Sequence, residues 1–149
     1  MPTLSSGGTF ENNWKNILDK LENILKSEFK GAVPVCRGTV DMRSNQYLRL
    51  IPDGSALLDY MHTAELRQFD IEMLFYFKDP NMKKNSLDHV FRQVSRIEAL
   101  IHDNTATTLS DSSNLFNVNL SSCDLDVGDS DSEYVVSWDL SCQHLGNIA

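Results

Sequence analysis

The sequence predicts an α+β fold, in which an antiparallel or mixed β-sheet is flanked by two α-helices and ends in a long C-terminal β-hairpin. Two stretches repeat apolar residues at helical spacing, one segment alternates apolar and polar residues, and residues 115–145 form two more alternating runs around an acidic turn. A length of 149 residues and a hydrophobic content of 41% suit one domain with a single core. Residues 1–8, "MPTLSSGG", are predicted to form a flexible tail.

The first helix is predicted within "TFENNWKNILDKLENILKSEFKG", residues 9–31. Thr9 is its predicted N-cap, and Gly31 followed by Pro34 ends it. The stripe fits a short coiled coil or a helix lying on a sheet, and the second interpretation is favoured. The apolar stripe consists of Trp14, Ile17, Leu18, Leu21, Ile24, Leu25 and Phe29.

Short strands are predicted next, in "VPVCRGTV" and "NQYLRLIP", which carry β-branched and aromatic residues between Gly, Pro, Ser and Asn breakers. The following segment, "DGSALLDYMHT", is ambiguous. Asp53-Gly54 signals a turn, whereas the residues after it are too apolar for an exposed loop. These apolar residues are Leu57, Leu58, Tyr60 and Met61.

The clearest strand is "AELRQFDIEMLFYFKDP", whose odd-numbered residues from Phe69 to Phe77 form one apolar face. Its other face begins with Asp70 and Glu72 and continues with Leu74 and Tyr76, so we expect this face to become covered towards the strand's end. Asp70 and Glu72 could act as paired carboxylates. A solvated or subunit-facing surface is the favoured interpretation.

The second helix is predicted from Ser86 to about His102, with Ser86 or Asn85 as its cap. A polar loop, "DNTATTLSDSSN", follows it and is predicted to be mobile. The helix's apolar stripe consists of Leu87, Val90, Phe91, Val94, Ile97 and Ile101.

The predicted C-terminal hairpin consists of "LFNVNLSSCDLDV" and "EYVVSWDLSCQHL". In the first strand, Phe116, Val118 and Leu120 have the opposite parity to the later apolar residues. One extra residue at Ser121–Ser122 would bring both sets to one face, so we predict a β-bulge there. The predicted cross-strand pairs are Val127 with Tyr134, Leu125 with Val136, and Cys123 with Trp138.

The turn of this hairpin lies in "CDLDVGDSDSEYVV", which contains five acidic residues and no basic one. A calcium loop, an acid–base site and a solvated turn are the three interpretations. EF-hand spacing fails because Gly128 precedes the third aspartate, which favours an exposed, acidic hairpin tip. The acidic residues are Asp124, Asp126, Asp129, Asp131 and Glu133.

The net charge of −8 is unevenly distributed along the chain. Residues 97–149 contain nine acidic residues and no Lys or Arg, whereas residues 1–96 contain all 13 basic residues and 12 acidic ones. The C-terminal third is therefore predicted to form a strongly negative zone that does not bind DNA through its phosphates.

No catalytic signature, such as GxSxG, a Walker sequence, GxGxxG or HExxH, occurs in the sequence, and no metal or cofactor is predicted. Cys142 and His144 share a strand face and suggest a nucleophile–base pair, but their apolar neighbours favour core packing. Three cysteines without a CxxC pair predict reduced thiols.

The N-terminus lacks the features of a signal peptide, and no apolar run is long enough to span a membrane, so the protein is expected to stay in the cytoplasm where it is made.

The order of these elements resembles the tail terminator proteins of tailed bacteriophages, the minor-tail-protein-U-like group. The shared layout is a first helix, short strands with an extended loop, a long strand ("ELRQFDIEMLFYF"), a helix ("SLDHVFRQVSRIEALI"), a polar loop and a closing hairpin ending in "YVVSWDLSCQH". The resemblance covers about residues 10–146 and consists of layout, length and hydrophobic pattern, without a signature motif.

The resemblance implies a single tail-terminator-like domain and a structural virion protein rather than an enzyme. Six copies would form a ring that caps the tail tube, ends its growth and joins it to the head-completion or connector proteins in the phage neck. DNA would pass through without specific binding, repelled weakly by an acidic lumen. The expected subunit contact uses Leu57, Leu58, Tyr60 and Met61, together with the strand surface at Asp70 and Glu72.

Two other functions remain open at the level of sequence. Another phage head–tail connector or head-completion protein has a similar size and pattern. A small cytosolic ligand-binding domain or enzyme could use the hairpin and sheet face as a pocket, but no convergent set of His, Cys and carboxylates supports it.

Overall fold

The structure, a computed structural model, describes residues 2–37, 45–79, 84–127 and 133–147. Its two helices are α1 (Asn13–Phe29) and α2 (Lys84–Asp103). The strands are β1 (Val35–Arg37), β2 (Gln46–Met61), β3 (Ala64–Lys78), β4 (Thr107–Thr108), β5 (Asn114–Val127) and β6 (Glu133–Asn147). The predicted α+β fold with a mixed sheet is confirmed.

The six strands form one sheet in the order β1-β2-β3-β6-β5-β4. β1 runs parallel to β2, and every other pair of neighbours is antiparallel. The central pair, β3 and β6, stays in register from Ala64 opposite Asn147 to Lys78 opposite Glu133. The ambiguous segment "DGSALLDYM" is the second half of β2, which pairs with β3 up to Met61 opposite Ala64.

Both helices lie on the same face of the sheet. Trp14 of α1 packs edge-to-face on Phe69, with 4.8 Å between ring centres. Glu98 of α2 accepts a hydrogen bond of 3.1 Å from Nε1 of Trp138, which points to the same side of the sheet as Phe69. The helix side therefore contains the core, and the opposite side, called the outer face below, has no helix on it among the described residues.

The core follows the predicted alternation of β3 and β6 closely. Phe69, Ile71, Met73 and Phe75 are at most 2% exposed, and they face equally buried residues of β6. The other face of β3 also becomes covered towards the end of the strand, as expected, because Tyr76 is only 8% exposed and stacks on Tyr47. The buried residues of β6 on the core side are Val136, Trp138, Leu140, Cys142 and His144.

The start of α1 differs from the prediction, while its end agrees. Thr9 is not the N-cap: it forms an isolated bridge with Thr3, and residues 2–10 fold into a small hairpin. The cap is Asn12, whose side chain accepts a hydrogen bond of 3.3 Å from the backbone N–H of Lys15. The helix ends at Phe29, where Lys30 and then Gly31, at φ 86°, take up left-handed backbone conformations.

α2 begins two residues earlier than the predicted Ser86. The Ser86 hydroxyl lies 2.5 Å from a carboxylate oxygen of Asp79 and donates to it, so this side chain ties the helix to the end of β3. Phe91 is 46% exposed and lies off the buried stripe, although its spacing from Leu87 and Val94 suggested otherwise. Helical spacing alone does not show how wide a stripe of α2 is buried against the sheet.

The predicted bulge in β5 is confirmed. Leu120 pairs with Leu140 and Ser122 with Asp139, which leaves Ser121 as the extra residue. The three predicted cross-strand pairs around Cys123, Leu125 and Val127 are also confirmed. A second bulge was missed, and it includes Asn117 at φ 51°.

This second bulge changes the orientation of Phe116. Leu115, which is fully buried, takes the core position opposite His144, whereas Phe116 pairs with Gln143 on the outer face. The prediction that Phe116 points into the core was therefore wrong. Asn at a left-handed position is a weak signal in sequence, because Asn tolerates this conformation but does not require it.

Candidate subunit contacts and an acidic sheet face

Large apolar side chains are exposed at both ends of the sheet. Leu57, Leu58 and Tyr60, the β2 tip, are 49%, 46% and 66% exposed. Leu125 and Val127, the β5 tip, are 49% and 53% exposed. Because a protein gains stability by burying such residues, these two tips are candidate contact surfaces.

The two tips lie at opposite ends of the sheet. The β2 tip lies near the turn where Met61 faces Ala64, which is in turn opposite Asn147 at the end of β6. The β5 tip lies where Val127 faces Tyr134, at the start of β6. The length of the central strands therefore separates the tips, and one copy of the chain cannot bury one tip against the other.

The outer face of the sheet carries a group of carboxylates, called the acidic face below. Glu72 lies directly opposite Asp139, and Ser122 donates a hydrogen bond of 3.0 Å to Asp139. Gln68 Nε2 donates a hydrogen bond of 3.2 Å to Asp70. Like charges directly opposite each other destabilise a sheet, so this arrangement costs free energy in the isolated chain. The acidic face consists of Asp70, Glu72, Asp124, Asp126 and Asp139.

The residues predicted to form one subunit contact do not lie on a single surface. Leu57 and Tyr60 point to the helix side of β2, opposite Arg67 and Glu65. Asp70 and Glu72 point to the outer face, nearer the middle of the sheet. Met61 is placed by its backbone pairing at the end of β2. The apolar tip and the acidic pair are thus separate candidate surfaces.

The predicted acidic edge is divided in a similar way. Asp124 and Asp126 are exposed on the outer face, as predicted. Glu133 is half-buried at the start of β6, and its carboxylate lies 3.8 Å from Nζ of Lys78, so it belongs to an ion pair. Asp129 and Asp131 lie outside the described residues.

Two parts of these surfaces were missed in the sequence. One is Asp139, which belongs to the acidic face. Because Asp139 follows the apolar Trp138 in an alternating strand, the sequence could have placed it on the outer face. Leu125 and Val127 lie on one face opposite Val136 and Tyr134, as the predicted pairs required, and this face is the helix side. α2 contacts β5, yet the side chains of both residues remain about half exposed.

Cys142 and His144 are both buried in the core and do not form a nucleophile–base pair. Sγ of Cys142 lies 3.8 Å from the backbone oxygen of Phe69. Burial raises the pKa of the Cys142 thiol to about 12, so almost no thiolate exists at neutral pH. Core packing is the interpretation that fits this environment.

His144 anchors the loop between β4 and β5 from inside the core. Its Nε2 lies 2.8 Å from the hydroxyl of Ser113, and that hydroxyl donates a hydrogen bond to Asp111. Burial lowers the pKa of His144, against the opposing effect of Asp111. Burial alone would raise the pKa of Asp111, but the hydrogen bonds from Ser113 outweigh it and lower that pKa. The Ser113 hydroxyl faces an acceptor carboxylate, which makes it an anchor rather than an activated nucleophile.

The grooves among the described residues are open and polar. The one between α1 and the β4 region has a volume of about 470 Å³ and is lined by Asn16, Lys20, Arg37 and Ser110 among others. Arg37 forms ion pairs with Asp19 and, at 3.0 Å, with Glu22. Its charge is thus neutralised within the chain rather than held ready for a ligand.

No group of His, Cys, Asp and Glu within the described ranges could hold a metal ion. Cys36, Cys123 and Cys142 are all free thiols. Neither described helix is long and apolar enough to cross a membrane.

The fold is shared with proteins of known structure. A solved structure of a protein whose name states no function matches with a TM-score of 0.63 and 14% identity, covering 90% of this chain and 96% of that one. At this identity the match shows the fold alone. No family model matches the chain, and no curated protein matches it in sequence. The class defined at this point is an α+β domain with a six-stranded mixed sheet covered by helices on one face.

Proposed function

We propose that this protein is a structural subunit of the neck of a tailed bacteriophage. In this role, copies of the chain form a ring, six-fold by the resemblance, that caps the tail tube, ends tail elongation and joins the tail to head-completion proteins. The observation that supports it most is the pair of exposed apolar tips at opposite ends of the sheet. A surface at one end that contacts a different surface at the other end of the next copy is heterologous, and such contacts form a ring when the rotation from copy to copy closes.

The acidic face supports the same proposal. Glu72 and Asp139 lie directly opposite each other, while Arg49 lies on the same face opposite Leu74. A channel lined by such carboxylates repels the DNA backbone, so that DNA slides through without binding. The repulsion between Glu72 and Asp139 does not stabilise the folded chain, whereas a role in DNA passage would give these carboxylates a purpose.

The order of elements supports the phage neck over other ring-forming proteins. α1, the short strand β1, the long strands β2 and β3, α2 and the β5–β6 hairpin follow one another in the layout that resembles the tail terminators. The proposal of a tail terminator, rather than another head–tail connector, rests on this layout. The deletion experiment below distinguishes a terminator from a connector.

The test is to delete the gene from the replicon that carries it and to image the lysate by negative-stain electron microscopy. We expect tails of uncontrolled length that are not attached to filled heads. Tails of normal length beside unjoined heads would assign the protein to the connectors instead. Intact infectious particles would exclude the virion role.

Complementation of the deletion with variants tests the apolar tips. Leu57→Asp places a charge in the β2 tip, and we expect it to fail to restore joined particles. Phe91→Asp is the control, because Phe91 is similarly exposed but lies on α2, whose His89 packs on Phe77 at the end of the sheet opposite the β2 tip. Equal complementation by both variants would contradict a role for the β2 tip.

A further inference from the structure

Two long stretches of backbone at opposite edges of the sheet have no strand beside them among the described residues. Among the described strands, β1 covers Leu48–Leu50 of β2, and none lies on the outer side of Asp53–Met61. β4 covers Asn114–Leu115 of β5, Val118 donates to Thr105, and no described strand lies on the outer side of Asn119–Val127. We call these segments the β2 edge and the β5 edge.

Each edge carries only part of the protection that natural sheets use against pairing with another strand, namely aspartates and bulges. Natural sheets commonly block exposed edges with lysine or proline. The β2 edge, "DGSALLDYM", and the β5 edge, "NLSSCDLDV", contain neither. The β2 edge contains bulges at Asp53 and Leu58, and the β5 edge contains one at Ser121; they bend the strands but leave residues between and beyond them available for pairing.

From these edges we propose that copies of this chain associate by pairing the β5 edge of one copy with the β2 edge of the next. This rests on the proposed function, because it specifies how the ring subunits contact each other. Strand direction permits it. Since β2 and β6 both run antiparallel to β3, and β5 runs antiparallel to β6, β5 and β2 run in opposite directions. Rotation about a ring axis keeps the sense in which each strand runs along that axis, so the two edges meet as an antiparallel pair when the strands run along it.

The side chains of the two edges match by face. On the helix side, Leu57 and Tyr60 of the β2 edge would lie beside Cys123, Leu125 and Val127 of the β5 edge in the neighbouring copy. On the outer face the pairing would bring Asp59 beside Asp124 and Asp126, whose repulsion opposes the association that the apolar rows favour. A continued sheet thus buries the two apolar tips near each other and extends the acidic face from copy to copy.

The offset between the edges also fits a closed ring. Cys123 is the midpoint of the β5 edge. It is paired with Trp138, which is paired with Met73, which is paired with Leu50, so Cys123 and Leu50 lie at the same height across the sheet. Leu57, the midpoint of the β2 edge, lies opposite Arg67, six residues along β3 from Met73. The midpoints of the two edges are therefore offset by about 20 Å along the strand direction. One copy adds four strand spacings to the ring, from its β2 to the β2 of the next copy, or about 19 Å across the strands. A closed sheet with that offset has strands tilted by about 45°, the upper part of the range of β-barrels.

Native Cys123 provides a direct test, because it is an exposed thiol on the helix side of the β5 edge. Ser55→Cys and Leu57→Cys each place a thiol on the helix side of the β2 edge. Paired strands bring opposite Cα atoms to about 5 Å, within the range of a disulfide. Under mild oxidation of the concentrated protein, we expect at least one of these variants to form a ladder of covalent oligomers on a non-reducing gel.

Three controls define the result. The ladder must be lost when Cys123→Ser is added, and it must be weak in Asp59→Cys, which points to the outer face, and in Phe91→Cys, which lies on α2. Thermal melting establishes that each variant is folded. Equal ladders in the Asp59 and Phe91 variants would indicate random collision and overturn the proposal. The absence of a ladder from both helix-side variants would also overturn it.

The outcome is independent of the deletion experiment. Uncontrolled tail growth on deletion without any cross-link would leave the terminator role intact and refute the pairing of these edges. Cross-links in a protein whose deletion leaves particles intact would retain edge pairing and refute the phage role.

Discussion

His144 is a histidine held without charge inside the core. It is 1% exposed, and it lies in the same row of side chains as Cys142 and Leu140. Protonation would place a positive charge there, against which Asp111, reached through Ser113, and Glu65 offer partial compensation. The pKa of His144 is therefore lower in the folded protein than in the unfolded chain, with burial as the main cause.

The sign of the pH dependence follows from this shift. The unfolded chain takes up a proton at His144 near its usual pKa of about 6.5, while the folded protein resists it. We expect the free energy of unfolding to fall as the pH drops below this value, and to fall less in His144→Gln. Urea titrations between pH 8 and pH 5 measure the difference. His102→Gln, at an exposed position on α2, should keep the wild-type slope. An unchanged slope in His144→Gln would refute this account.

At the level of elements, the bulge at Ser121 controls which side chains of β5 reach the core. Leu115, Val118 and Leu120 lie on one side of it and Cys123, Leu125 and Val127 on the other, and both sets face the helices. Removing one residue from a strand turns every later side chain to the opposite face. The bulge is therefore a condition for the burial of Leu115 and Val118.

Deletion of Ser121 should consequently be far more harmful than its substitution. We expect the deletion to lower the free energy of unfolding by about 3 kcal/mol or more, because buried leucine or valine side chains leave the core. Ser121→Ala should change it by less than about 0.5 kcal/mol, since the residue is exposed and makes one hydrogen bond through its hydroxyl. Denaturant unfolding compares the two. Equal effects would indicate that the strand shifts register without loss.

The elements that depend on alternation were predictable from sequence, and those that depend on tertiary context were not. The parity switch across Ser121–Ser122 is visible in the sequence and gave the correct pairs for Leu125 and Cys123. The bulge at Asn117 has no comparable signal, because only the two adjacent apolar residues Leu115 and Phe116 exchange faces with it. Thr9 was chosen as a cap by residue type alone, and Asn12, an equally good capping residue, holds that position.

Site residues were less predictable than strands. The apolar character of Leu57 and Tyr60 marked them as unusual, but their identity as an edge of the sheet depends on how little of β2 is covered by β1. Asp139 could not be joined to Glu72 without knowing that β6 lies beside β3. That neighbourhood arises from contacts between segments about seventy residues apart, which local patterns do not encode.

For the molecule as a whole, the acidic face places two carboxylates, Glu72 and Asp139, directly opposite each other. Glu72→Lys would turn the repulsion with Asp139 into an attraction, and we expect it to raise the free energy of unfolding by about 0.5 kcal/mol. Asp59→Lys is the control, because it changes the net charge equally but faces Leu66. Thermal melting should show the larger gain for Glu72→Lys. Equal gains would attribute the effect to net charge rather than to the facing pair.

The position of β6 has a consequence for how the chain folds. Residues 133–147 form the strand between β3 and β5, so the two halves of the sheet, Val35–Lys78 and Thr107–Val127, have no strand-to-strand contact until β6 is inserted. During synthesis the apolar faces of β3 and β5 emerge from the ribosome well before the strand that joins them. Loop closure of this length is slow compared with helix or hairpin formation. The chain therefore has to complete its core after release of residues 133–147, and a nascent chain shorter than this exposes strand edges on which chaperones act.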